Sequence, residues 1–239
     1  MNIIPSIDLK NGQCVRLKQG DFKQLTIYPL DPVSVAQQYN QMDISCLHIV
    51  DLDGAEQKKP VQLELIAAIA SAFKGDIQVG GGVRTRQDIE ALFTCGVTRV
   101  VIGTSAVMDV NRVRQWLQSY SAERIVIALD FWLEKDMPFL AINGWQTATA
   151  VNLWQQLELF TGIEHVLCTD ISKDGMGNGP NLEFYRQAAS RFPAVKFQAS
   201  GGVSSLKDIH ELKDSGVAGC IIGKALFEGT LKLPEVAIC

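Results

Sequence analysis

Two aspartates close apolar runs in matching contexts: Asp8 ends IIPSID and Asp130 ends VIALD. A carboxylate at the end of an otherwise apolar strand is costly to hold there unless it is bonded or used, although structural aspartates also cap the turns that follow strands. As a matched pair the two point to acid–base work, with Asp8 and Asp130 in opposite protonation states. Four further runs end in glycine: Gly80-Gly81-Gly82-Val83, Gly103-Thr104-Ser105, Gly201-Gly202-Val203 and Gly223-Lys224. Glycine lets an anion approach bare backbone N–H groups, and a following helix N-terminus adds about half a positive charge. A tight strand-to-helix turn needs glycine for its own sake as well. Arranged as two pairs, the four endings fit two opposed phosphate cradles. Gly81, Gly82, Gly103 and Thr104 would line one and Gly201, Gly202, Gly223 and Lys224 the other, for a ligand with a phosphate at each end.

Strand parity sorts the neighbours. If Asp8 points inward, the last inward position of HVLCTD is Thr169, a hydrogen-bond donor near the ligand, while Asp170 and Asp51 point away and bond loop backbone. His48, on the inward face of CLHIVD, is either a ligand contact or a satisfied core histidine. Asp174, in Ser172-Lys173-Asp174-Gly175, is either a turn residue or a third acid–base group. Arg16, Arg84 and Lys224 are the basic residues near the mouth, and Arg84 stands out because it directly follows GGGV. Trp145, in Asn143-Gly144-Trp145, either stacks on a heterocycle from a closing loop or belongs to the core; Trp116 and Trp154 sit at apolar helical spacing and read as core. The three histidines share no metal-ligand spacing, so no metal is expected. The glycine runs are not GxGxxG with a distant acidic residue, so neither nicotinamide nor flavin is expected.

The elements that must hold these residues alternate. Eight β-branched runs (NIIPSID, CLHIVD, DIQVG, RVVIG, RIVIALD, HVLCTD, VKFQAS and AGCIIG) are separated by amphipathic stretches at 32–41, 60–73, 86–95, 109–119, 147–159, 181–191 and 205–215. Strands apolar on both faces and interleaved with helices imply a parallel sheet covered on both sides. Eight such units in 239 residues imply a (βα)8 TIM barrel in the α/β class, with its active site at the C-terminal strand ends. Residues 78–103 also align with 198–223 at one constant offset, with identities that include Gln78/Gln198, Gly81/Gly201, Gly82/Gly202, Asp88/Asp208 and Gly103/Gly223. The expected organisation is a single domain, 1–239, with an internal repeat of half-barrels at about 1–120 and 121–239.

Composition narrows the function classes. The chain has 47% hydrophobic residues, and 22 Lys+Arg against 26 Asp+Glu give a net charge of −4. With no run of five like charges, neither nucleic acid nor a membrane surface is expected as a partner. No apolar stretch of membrane-spanning length occurs, and Asp8 interrupts any signal-peptide core, so the expected location is cytoplasmic. The six cysteines, Cys14, Cys46, Cys95, Cys168, Cys220 and Cys239, are scattered and read as reduced, mostly buried small hydrophobes.

IIPSIDLKNGQCVRLKQGDF, HIVDLDGA, QVGGGVRTRQDI, GVTRVVIGTSAV, NGWQ, LCTDISKDGM, SGGVSSLKDI and IIGKALFEG together resemble, nearly end to end, the histidine-biosynthesis isomerase family acting on phosphoribosylformimino-5-aminoimidazole carboxamide ribotide. The resemblance implies a half-duplicated (βα)8 barrel that binds a small molecule with two phosphates, uses no cofactor and needs no obligate protein partner. It implies an Amadori rearrangement of aminoaldose to aminoketose, with Asp130 as proton donor to the ribose ring oxygen and Asp8 as acceptor of the C2′ proton. Asp174 has a rival claim as donor. Arg84 and Trp145 correspond to mobile-loop contacts to the aminoimidazole carboxamide, and the glycines to phosphate sites. Two relatives in kind remain as alternatives: a dual-substrate isomerase that also takes phosphoribosylanthranilate, and the cyclase subunit of imidazole glycerol phosphate synthase. Two features depart from the family pattern, the bulky Phe131-Trp132 pair after Asp130 and the ending EVAIC, which predicts a short or frayed last helix.

Overall fold

A computed structural model of the chain describes residues 1–18, 20–42 and 44–236. Among the described residues twelve strands form in chain order: β1 (Asn2–Lys10), β2 (Gln13–Lys18), β3 (Asp21–Tyr28), β4 (Cys46–Asp51), β5 (Asp76–Gly80), β6 (Arg99–Ile102), β7 (Ile125–Glu134), β8 (Met137–Ile142), β9 (Thr147–Asn152), β10 (His165–Asp170), β11 (Lys196–Ser200) and β12 (Gly219–Ile222). Eight of them run parallel around a closed ring in the order β1-β4-β5-β6-β7-β10-β11-β12, with β12 paired back to β1 and β7 to β10. These eight are the predicted runs, and the fold is the (βα)8 barrel.

The ring explains the two-faced apolarity of its strands. Ile4, Cys46, Val101, Val126, Ala128, Leu167 and Ile221 meet inside the barrel. Their alternate neighbours, among them Ile7, Leu47, Ile49, Val79, Ile102 and Ile127, pack outward under the helices. The helices Pro32–Tyr39, Leu63–Ala72, Arg86–Thr94, Leu182–Arg191 and Leu206–Asp214 fall within the stretches that periodicity marked, and Val110–Tyr120 runs one residue past its stretch. Trp116 and Trp154 are core residues, and Phe131 is fully buried and stacked on Phe184 at 4.1 Å between ring centroids, so the bulky residue after Asp130 belongs to the helix layer.

Two departures bear on the site. Residues 147–159 read as a helix, but the structure makes β9 from 147–152 and a helix only over Leu153–Glu158. Thr147-Ala-Thr-Ala-Val alternates with period two and is β-branched at alternate positions, which favours a strand. Asn152 then caps the helix, accepting from Trp154 N at 2.9 Å. The chain after β1 also turns back as a hairpin before its helix, with Asn11 and Gly12 both in the left-handed region at φ 49° and 77°. Asn-Gly between apolar runs is the two-residue hairpin signal. Cys14, Cys46, Cys168 and Cys220 are buried and Cys95 half-buried, all free thiols; Cys239 and the end of the EVAIC segment lie outside the described residues. Among the described residues no helix is long and apolar enough to cross a membrane.

Gly82 is fixed by the loop it crosses. At φ 76° a Cβ there would stand 2.2 Å from the Gly54 carbonyl oxygen and 2.6 Å from Lys59 N. Gly82→Ala is therefore expected to lose about 1–3 kcal/mol or more of stability, as strained left-handed positions do. Chemical denaturation reads this directly, and a wild-type midpoint would show that the loop can move aside.

Candidate active site

The mouth is built at the C-terminal ends of the strands. Asp8 on β1 and Asp130 on β7 stand four strands apart in the ring, on opposite sides, and both line a cleft of about 240 Å³. The glycine turns after β5 and β6 line the same cleft with Gly81, Gly82, Gly103 and Thr104. A second cleft of about 240 Å³ opens beside it, lined by Gly201, Gly202, Gly223 and Lys224 from the turns after β11 and β12. These turns too are diametrically opposed across the ring. Ser6, Arg16, Asp174, Ser200 and Ile221 border both clefts.

Arg16 links the halves of this site. The antiparallel β1–β2 pairing sets Val15 opposite Asp8 and brings the next residue back over the mouth. Its Nη1 donates to Asp8 Oδ2 at 3.0 Å and its Nη2 to Asp174 Oδ1. The two carboxylates more than offset the cost of burying the guanidinium and hold its pKa above the ordinary value. The buried Arg16 Nε has no protein partner among the described residues.

The two aspartates meet different electrostatics. Burial pushes the Asp8 pKa up, Arg16 pulls against that shift and Asp174 adds to it, with a net rise. Asp130 is also raised by burial, opposed by hydrogen bonding from Thr169 and Trp145 and supported by the charge of Asp174. Among the described residues no cation bears on Asp130. Thr169 pairs in register with Asp130 and lines the cleft, while Asp170 turns outward to accept from Ser172 N at 3.0 Å and Asn181 Nδ2 at 2.8 Å. Asp51 likewise accepts from Gly54 N at 2.8 Å and Val61 N at 2.7 Å. Asp174 is not a simple turn residue, since it is buried against Arg16 at the border of both clefts.

His48 lines the cleft and is also satisfied from behind, because Gln78 Nε2 lies 3.0 Å from its Nδ1. Burial, with the charge of Arg16, lowers its pKa to about 4, so the ring is neutral at ordinary pH. Arg84 reaches across the mouth to Asn143 Oδ1 at 3.3 Å, and Asn143 N donates to Thr104 Oγ1 at 3.0 Å, which ties the β8–β9 turn to the turn after β6. Trp145 is half-buried at φ 69° in that turn, against Gly20 of the β2–β3 turn. It therefore sits at the rim and outside the core. Lys224 donates from Nζ to the Gly175 carbonyl at 2.9 Å.

Anion binding by the long helices after the GGV turns is pre-empted. Thr85 with Asp88 and Ser205 with Asp208 form capping boxes, so each N-terminus already holds a carboxylate of its own. The short helices that start at Thr104 and Lys224, directly after Gly103 and Gly223, have no side-chain cap, so the amides left for a ligand are their first ones and those of the glycine turns. The S/T-x-x-D spacing of both boxes was legible in the sequence. Ser6 and Ser200 were missed as lining residues, although the parity that placed Thr169 also points Ser6 inward, two residues before Asp8. Among the described residues no group of three His, Cys, Asp or Glu side chains could hold a metal ion.

Fold and mouth together define a (βα)8-barrel protein that carries an acidic pair in one of two adjoining glycine-lined clefts. The family model described as histidine biosynthesis protein matches residues 2–232, and the chain belongs to that family. It is 46% identical over 241 residues to a protein of Francisella philomiragia subsp. philomiragia, covering all of both chains. It is 45% identical to proteins of Pectobacterium carotovorum subsp. carotovorum and Vibrio cholerae, over 99% of this chain and 98% of theirs. All three carry the name 1-(5-phosphoribosyl)-5-((5-phosphoribosylamino)methylideneamino) imidazole-4-carboxamide isomerase.

Proposed function

We propose that the chain is an isomerase of histidine biosynthesis that converts the aminoaldose phosphoribosylformimino-5-aminoimidazole carboxamide ribotide into its aminoketose form. The carrying observation is the placement of two carboxyls, both raised by burial, on opposite walls of one mouth, with only Asp8 beside a cation among the described residues. Asp130, without a cation, holds a proton and delivers it to the ribose ring oxygen, opening the ring to an iminium. Asp8, kept anionic by Arg16, takes the C2′ proton, and the resulting enolamine collapses to the ketone. Thr169 orients Asp130. Asp174 is the weaker donor, since the Arg16 guanidinium already bonds it.

The substrate's two phosphates would be held by the glycine-turn amides, one at Gly81, Gly82, Gly103 and Thr104, the other at Gly201, Gly202, Gly223 and Lys224. Arg84 and Trp145 at the rim would take the aminoimidazole carboxamide. Residues 1–239 would act as one domain of two half-barrels, about 1–120 and 121–239, a reading supported by the matching capping boxes.

Purified chain given the aminoaldose ribotide in the presence of EDTA should turn it over, followed by absorbance. Phosphoribosylanthranilate beside it separates a specialist from a dual-substrate enzyme. A folded chain that binds the ribotide without converting it would overturn the proposal.

A further inference from the structure

At the centre of the barrel, one layer below the carboxylates, Gln78 of β5 and Gln198 of β11 reach across the ring and pair head to head. Gln78 Nε2 donates to Gln198 Oε1 at 2.7 Å, and Gln198 Nε2 returns the bond to Gln78 Oε1 at 3.0 Å. The two residues are 120 apart in sequence and both buried. A reciprocal amide pair consumes one N–H of each partner and leaves each with a second. The remaining Gln78 N–H faces His48 Nδ1 at 3.0 Å. No catalytic step proposed above uses either glutamine.

We propose that Gln78, held by Gln198, is a positioning residue that fixes His48 as the Nε2–H tautomer and so presents a neutral hydrogen-bond donor to the substrate in the cleft. An amide N–H donates only to an unprotonated ring nitrogen, so the bond at Nδ1 puts the imidazole proton on Nε2. That nitrogen has no protein partner among the described residues and is not among the buried atoms left unsatisfied, so it is open to the cleft that His48 lines. The amides are interlocked: turning Gln78 to present its oxygen to His48 requires Gln198 to turn with it. The tautomer is thus set by a residue on the far side of the ring. A ligand rich in phosphate and hydroxyl oxygens calls for donors at this wall, and a ring that stays neutral gives a donor without adding a charge beside Arg16.

The donor role rests on the isomerase reading, whereas the tautomer does not, and the experiment separates them. Histidine-selective 15N labelling gives only three imidazoles, His48, His165 and His210, and His48→Gln assigns the first. In the wild type, His48 Nδ1 should resonate as an unprotonated nitrogen and Nε2 as a protonated one across pH 6–8. Gln78→Met should mix the tautomers and lower kcat about tenfold with KM changed less than twofold. Because that variant strands the Gln198 amide, Gln78→Met/Gln198→Met is made as well. It removes both polar groups at similar volume, should recover most of the lost stability, and should keep the tautomer mixed and kcat low. A wild-type Nδ1–H signal, or an unchanged His48 spectrum in the double variant, overturns the proposal. Mixed tautomers with unchanged kcat overturn the donor role. Absence of turnover in the wild type counts against the isomerase reading and leaves the spectral result standing.

Discussion

Asp130→Asn is expected to lower turnover of the aminoaldose ribotide by about 10²–10⁴-fold, the range for losing a general acid, and at the same time to make the fold harder to denature. Both effects have one cause. Burial raises the Asp130 pKa above 3.8, and among the described residues no cation offsets the desolvation of its charged form. A carboxyl whose pKa is higher in the folded than in the unfolded chain contributes stability below pH 3.8 and loses it as pH rises through the folded value. Asparagine has no such proton equilibrium. The stability advantage of the variant should therefore be near zero in acid, open as pH rises past about 4, and level off above the folded pKa. Urea midpoints against pH, beside kcat, test this. An advantage largest in acid, or retained turnover, would reject the role given to Asp130.

Arg16→Met is expected to damage both chemistry and fold. It leaves Asp8 and Asp174, both buried, without the guanidinium that joins them. Breaking a buried ion pair by removing one partner costs about 3–5 kcal/mol. The protein can lessen that cost by taking up a proton, and the carboxyl already raised is Asp8. In the variant Asp8 rises further, so the loss of stability against wild type should shrink as pH falls toward 3.8 and grow as pH rises. A protonated Asp8 cannot accept the C2′ proton. Turnover at pH 7 should fall by about 10²–10⁴-fold and recover in part in more alkaline buffer, and Arg16→Lys, which keeps the charge, should retain more. A pH–rate profile for Arg16→Met that only scales down from the wild-type curve would show that Arg16 does not set the state of Asp8.

Much of the architecture was written locally. The eight ring strands are apolar on both faces because both faces are covered, and that pattern needs no knowledge of the partner strand. Asp8, Asp130 and the glycine runs could be placed at the mouth because in this fold the strand ends are the mouth. Parity separated Thr169 from Asp170, since alternation along a strand is a property of the strand alone. The β1–β2 hairpin and β9 were equally local, in Asn11-Gly12 and Thr147-Ala-Thr-Ala-Val, but the regular strand–helix rhythm masked them.

Sequence alone determined which residues reach the mouth, because backbone periodicity and turn chemistry act over a few neighbours. It did not determine what they meet there. Arg16 and Asp174 are 158 residues apart, Gln78 and Gln198 are 120 apart, and Trp145 acts on Asp130 from the tip of a hairpin. The first two pairings depend on the ring that closes β7 onto β10 and β12 onto β1, and the third on the chain returning through β8 beside the end of β7. The burial that sets the charges of the aspartates also comes from that closure, since the cost of desolvating a charge depends on everything packed around it. The sequence therefore carried the positions of Asp8 and Asp130, and the tertiary structure brought the Arg16 guanidinium to Asp8.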